Sequence, residues 1–245
     1  MKIRRDIRHI LVVAIALPTL LAKSEFSLAQ EPKYTNTFRF EQCRGFSSTG
    51  RNPFFVLEPG FQQVLAGKDE GVDVRLTITV LHQTKKINGV TTRIVEEVET
   101  KNGKLFEIAR NYFAICNRDN SVVYFGEDVS FYNNGVVVSN QGSWLAGIKN
   151  ARPGIIMPGT VLLGARYFQE IAPGVALDRA EIVSINEVVY TPARIFQNSF
   201  KTEETTPLDP SVKEFKWYAP GIGLIRDGVL KLVQSSPIKS EDNED

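Results

Sequence analysis

Histidine, cysteine, methionine and tryptophan are each reduced to two copies in this chain of 245 residues. Each scarcity excludes something. With only His9 and His82, histidine-rich zinc sites are ruled out, and Cys43 and Cys116 are too far apart for a Cys-x-x-Cys knuckle. There is no Gly-x-Ser-x-Gly nucleophile turn, no Gly-x-Gly-x-x-Gly fingerprint and no phosphate loop. The fragment Gly221-Ile222-Gly223 reads as a tight bend. No metal and no cofactor are therefore expected. An excess of one charge is also missing, since 29 Lys/Arg stand against 28 Asp/Glu. Without a basic stripe, nucleic acid is not an expected partner.

Long apolar runs are scarce too, and the one that exists is at the start. Lys2, Arg4, Arg5 and Arg8 precede the apolar stretch Ile10 to Ala22, and Ser27-Leu28-Ala29 follows with a small-x-small pattern. This reads as a secretory signal peptide over residues 1–29, too short to span a bilayer. Its removal leaves 24 Lys/Arg and 26 Asp/Glu, no transmembrane segment, and His82 as the single histidine. The expected destination is the periplasm or the extracellular medium. In such an oxidising compartment, Cys43 and Cys116 are expected to form one disulfide.

What remains has the look of an all-β chain. Residues 30–51 read as an extended lead-in, 52–234 as a β-rich domain and 235–245 as a disordered acidic tail. Val, Ile, Thr, Phe and Tyr recur in short runs separated by Gly, Pro and Asn. Val72 to Thr84 alternates cleanly, with Val72, Val74, Leu76, Ile78 and Val80 on one face. Asn88-Gly89 and Asn102-Gly103 then punctuate two further strands, and Asn134-Gly135 repeats the signal. Three-residue turns would keep the apolar residues of all three strands on one face, with Lys86 opposite Val90 and Thr100 opposite Lys104. Further strands are expected at 121–125, 135–139, 165–170, 180–185, 188–190, 194–201, 213–218 and 228–233. The predicted architecture is a single antiparallel meander forming a strongly curved sheet or partly open barrel.

That register brings three charged residues onto the apolar face. Glu96 becomes a diagonal neighbour of both His82 and Arg110, within reach of long side chains. Such a cluster could bind a polar ligand through Arg110, with Glu96 and His82 as a proton-transfer pair, or could simply satisfy its own charges. Paired acids also occur at Glu96-Glu97, Glu127-Asp128 and Glu203-Glu204. Neighbours on a strand point to opposite faces, so none of these pairs forms an acid/base couple by itself. Glu127-Asp128 reads as a turn with solvated charges. Trp144 to Leu163 is apolar, carries two Pro-Gly steps and lacks periodicity, so it is expected to plug one end of the sheet or to act as a lid.

Five segments stand out in order: Asn52-Pro53-Phe54-Phe55 with Leu57 and Pro59-Gly60, Tyr124-Phe125-Gly126-Glu127-Asp128, Gly142-Ser143-Trp144, Pro153 to Pro158, and Lys216 to Leu224. Together they resemble an uncharacterised family of exported bacterial β-rich proteins. The closing Tyr-Ala-Pro-Gly-x-Gly-Leu stretch is distantly similar to half-barrel lipoprotein-carrier envelope proteins. The resemblance implies export and a curved β-sheet with a concave apolar face, and no activity.

The reading that follows is a non-enzymatic binding or envelope-interaction protein. Its expected partner is an apolar or amphipathic small molecule, or an envelope protein. Arg110, Glu96 and His82 would set polarity, while Trp144, Ile155, Ile156 and Met157 flank the mouth. The alternatives are a hydrolase or isomerase-type enzyme using Glu96 and His82, and a purely structural envelope module.

Overall fold

The computed structural model describes residues 32–237. The expected signal peptide and residues 238–245 of the expected tail lie outside them. A 3₁₀ turn (Phe40–Cys43) leads into the strands β1 (Phe46–Ser47), β2 (Arg51–Asn52) and β3 (Phe55–Val56). The wall follows: β4 (Phe61–Asp69), β5 (Val72–Ile87), β6 (Val90–Lys101), β7 (Lys104–Cys116) and β8 (Val122–Asn133). Short strands come next: β9 (Val136–Ser139), β10 (Trp144–Leu145), β11 (Arg152–Met157), β12 (Arg166–Phe168) and β13 (Glu170–Ile171). The chain ends on β14 (Arg179–Tyr190), β15 (Ile195–Thr206), β16 (Asp209–Ala219), β17 (Gly223–Asp227) and β18 (Leu230–Pro237).

Thirteen of these strands follow one antiparallel path, β12-β14-β15-β16-β17-β18-β4-β5-β6-β7-β8-β11-β13, with β1 added on β7 and β9 and β10 on β8, while β2 and β3 pair in a separate two-stranded sheet. Its two edges, β12 and β13, are separated in sequence by Gln169 alone. The sheet is therefore nearly closed into a barrel, and the chain itself spans the unsealed seam. Closure hides most of the unpaired backbone that an open sheet would present at its edges. The fold class is all-β, and among the described residues no helix is long and apolar enough to cross a membrane.

The turns differ from the sequence expectation. Ile87, not Lys86, stands opposite Val90, and Lys101, not Thr100, stands opposite Lys104. Both loops have two residues, Asn88-Gly89 and Asn102-Gly103, with all four φ angles positive (45°, 84°, 48° and 74°). Mirror-image turns of this kind match the right-handed twist of the paired strands, which longer loops do less well. Even positions of β5 therefore face odd positions of β6 along the whole pair, and only the bulge in β7 changes parity, setting odd positions of β6 opposite odd positions of β7. Leu81, His82 and Gln83 together face only Ile94, and Phe106 is an extra residue in β7. Arg93 holds the first bulge, its guanidinium donating to the carbonyls of His82 (2.6 Å) and Ser48 (2.8 Å).

The segment 144–163 is not simply a plug, because Arg152–Met157 is a wall strand paired with β8. The plug is the Asn52-Pro53-Phe54-Phe55 segment instead. Buried Asn52 donates to the carbonyls of Asn120 (2.8 Å) and Pro158 (3.0 Å) and accepts from the Phe54 amide (2.8 Å). Phe54 then packs edge-on against Phe200 and Phe55 against Phe113, with ring centroids 4.8 and 5.1 Å apart. Phe61–Asp69 and Gly223–Asp227, which the sequence reading left unassigned, complete the wall. The Cys43–Cys116 disulfide is formed, tying the lead-in to the end of β7 across 73 residues of chain.

Two stability predictions arise from this closure. At Gly154 an added Cβ would lie 2.4 Å from the Gln169 carbonyl oxygen and 2.6 Å from that of Phe168, both backbone atoms at the seam. Gly154→Ala should cost about 1–3 kcal/mol in chemical unfolding, because neither strand can give way alone. An unchanged midpoint would show the seam to be loose. Reducing the disulfide should cost roughly 4 kcal/mol if chain entropy dominates for a loop of this length, read from the same unfolding curves with and without reductant.

Candidate functional site

Two-residue turns decide which residues face inward. With Ile78 opposite Glu97, Val80 opposite Val95 and Ala109 opposite Glu97, the odd positions of β6 and β7 join the even positions of β5 on the inner face. A cavity of ≈250 Å³ lies inside, and its lining runs from apolar to charged along each strand. On β6 Val95 is followed by Glu97, and on β7 Phe113 by Asn111, Ala109 and Glu107. On β16 Tyr218 precedes Lys216, and on β17 Leu224 precedes Asp227. Phe55, Val56 and Phe61 close the apolar end, and seven carboxylates gather toward the other: Glu97, Glu107, Glu127, Glu170, Asp178, Glu204 and Asp227. Lys216 is the one cation in the lining.

The charges fall into two sets. On one wall Lys216 Nζ lies 2.9 Å from Glu204 Oε2 and sits opposite Asp227 in register. Gln169 Nε2 (3.1 Å) and Thr202 Oγ1 (3.2 Å) donate to the other Glu204 oxygen. Burial opposes the lysine charge, but Glu204 and Asp227 outweigh it and hold the ammonium well above its usual pKa. Buried Glu170 accepts the Asp178 amide (2.7 Å), and burial together with the Asp178 charge pushes its carboxyl well up.

The facing wall carries Glu97, Glu107 and Glu127, all half-buried, with no cation paired to Glu97 or Glu127 among the described residues. Burial raises the Glu97 carboxyl to about 7, helped by Asp227, Glu107 and Glu99 and opposed by Lys216. Burial likewise raises Glu127 to about 8, with the nearby Tyr124 hydroxyl opposing the rise and Glu97, Glu107 and Asp178 adding repulsion. Glu107 is raised by burial and by Glu99. Between them, Asn111 is 6% exposed; its Oδ1 accepts from the Tyr124 hydroxyl (2.6 Å), while its Nδ2 has no protein partner among the described residues. This wall can hold and exchange protons near neutral pH, and can meet a positive group.

The residues singled out from the sequence mostly sit elsewhere. Glu96 and Arg110 do pair, at 2.9 Å, but directly opposite each other on the outer face. His82 lies in the β5 bulge with its side chain exposed, and no hydrogen bond or ion pair joins it to Glu96 among the described residues. The expected three-residue cluster is thus replaced by an ion pair and a separate histidine, because the bulge lifts His82 out of register. Of the expected mouth residues, Ile156 lines the cavity. Ile155 is half-buried opposite Val123. Met157 and Trp144 are buried in the core, the latter 5.2 Å from the Tyr124 ring.

Glu127-Asp128 is part of a strand, not a turn: Glu127 faces in, while Asp128 accepts from Lys85 Nζ (2.9 Å) and the Tyr112 hydroxyl. Each of the three paired acids in the sequence therefore contributes one inward carboxylate, namely Glu97, Glu127 and Glu204. The chain matches no protein-family model, no curated protein and no solved structure.

Like-charge crowding should be visible in stability. A carboxyl raised in the folded state binds a proton that the unfolded chain lacks between about pH 4.5 and 8. Stability should therefore fall as pH rises through that window. Glu97→Gln or Glu127→Gln should raise Tm at pH 8.5 and change it little at pH 5, with about 2–4 °C for each kcal/mol relieved. Thermal melts of the single variants at both pH values check this, and an equal shift at both would contradict the repulsion.

Proposed function

We propose that the protein is an exported binding protein that holds a small molecule inside its barrel. The observation that carries this reading is the cavity itself, with an apolar floor and a charged upper wall. A purely structural barrel gains nothing from burying so many carboxylates around an open space, since buried charge is costly unless something compensates it. Concave sites of mixed apolar and polar lining are where small molecules bind. Export is supported by the first 29 residues of the sequence and by the Cys43–Cys116 bond, which suits an oxidising compartment.

The expected ligand is amphipathic. It lies inside the barrel, not at a mouth formed by Trp144, Ile155, Ile156 and Met157. Its size is limited, since ≈250 Å³ holds about eight water volumes. Native mass spectrometry of protein purified without detergent from its own host is the test. A reproducible excess mass released on denaturation is expected, and Ala109→Phe, which would put a large side chain into the cavity from β7, should abolish it while its melting curve shows a folded protein. A clean apo mass for the unmodified protein would count against the reading.

A further inference from the structure

We propose that the ligand is a small organic cation, a protonated amine whose charged head meets Glu97, Glu107 and Glu127 and whose apolar body lies against Phe55, Phe113 and Ile156. This rests on the binding reading above and adds the chemical class of the ligand.

Three observations converge on it. The lining has seven carboxylates and one cation, and that cation is committed to Glu204 on the opposite wall at 2.9 Å. An anion would be repelled, and a neutral ligand would leave the Glu97–Glu127 wall without a counter-charge in a partly desolvated site. The acids are spread along several strands: among the described residues no three of them come together with the spacing of metal ligands. An extended organic cation fits that distribution better than a point charge. Lastly, Asn111 lines the cavity at the boundary between the apolar and acidic halves, its Oδ1 taken by the Tyr124 hydroxyl and its Nδ2 open to the space as a donor. A hydrogen-bond acceptor beside the ammonium would satisfy it.

Proton exchange follows from the same geometry. Glu97 is faced by Lys216, Asp227, Glu107 and Glu99, and Glu127 by Tyr124, Glu97, Glu107 and Asp178. An arriving ammonium favours the ionised form of both carboxyls, so it displaces whatever proton they hold. Binding should release protons and tighten as pH rises from 6 to 8.5.

Calorimetric titration with 2-phenylethylamine and its neutral counterpart 2-phenylethanol, in buffers of different ionisation heat, tests this on the disulfide-intact protein. The amine is expected to bind about tenfold or more tighter than the alcohol at pH 8.5, with net proton release. Its affinity should fall about tenfold at pH 6, as expected when a carboxyl must lose its proton to bind. Glu127→Gln should weaken the amine about tenfold and leave the alcohol unchanged; its melting curve confirms folding. Equal binding of amine and alcohol at every pH would overturn the cation while leaving the binding reading intact. Binding of Ca²⁺ or Mg²⁺ with no binding of the amine would overturn it in favour of a metal. Binding of neither probe would overturn it too, and the mass of the native protein then tells whether the binding reading falls with it.

Discussion

The two-residue turns at Asn88-Gly89 and Asn102-Gly103 set the register on which the interior depends. A β-strand alternates faces with every residue, so one residue of slip would exchange the inner and outer sets of a whole strand. With these turns Glu97 faces in and Glu96 faces out, Asn111 faces in and Arg110 faces out. Had the loops been one residue longer, the cavity would be lined by a different set of side chains. The bulge at 81–83 keeps even positions of β5 opposite odd positions of β6, and the extra residue Phe106 then sets odd positions of β6 opposite odd positions of β7. The first of these also takes His82 away from the carboxylates.

Given that register, closure of the sheet creates the site. An open sheet would leave its inner carboxylates hydrated and unremarkable. Bringing β12 and β13 together, with Gln169 spanning the seam, gathers acids from β6, β7, β8, β13, β15 and β17 around one space. Partial desolvation then raises most of them, and Lys216 opposes that rise both at Asp227 beside it and at Glu97 across the cavity. The Asn52–Phe55 plug makes the other end apolar, so polarity changes along the axis over a few residues. Like-charge crowding at the acidic end is offset by aromatic packing at the plug, where Phe54 meets Phe200 and Phe55 meets Phe113.

Much of the wall was legible from alternation alone. Val72 to Val80 keep their predicted common face, and most of the expected strands exist. On β6 and β7 the buried inner face is not the more apolar one. The hydrophobic-face rule assumes that the inner face is the apolar one. On β6 and β7 the inner positions include Glu97, Glu107 and Asn111, so the rule chose the outer set, Ile94, Ile108 and Tyr112. The paired acids were the available clue: a strand must send one member of each pair inward. Three such pairs on three strands were a hint of an acidic interior that a search for couples within a pair could not see.

By itself, the sequence determined the class of the fold, the positions of the hairpin turns and the two cysteines available for a bridge, because these depend on local backbone preference and composition. Only the tertiary structure decided which end of which strand is buried, that Gln169 lies at a seam, and that Glu97 and Glu127 face one cavity with Lys216 across from them. The first bulge is held by Arg93 reaching back to Ser48, 45 residues away, and the wall is completed by β18 pairing with β4, as at Leu232 with Leu65. Local pattern carries no trace of those distances.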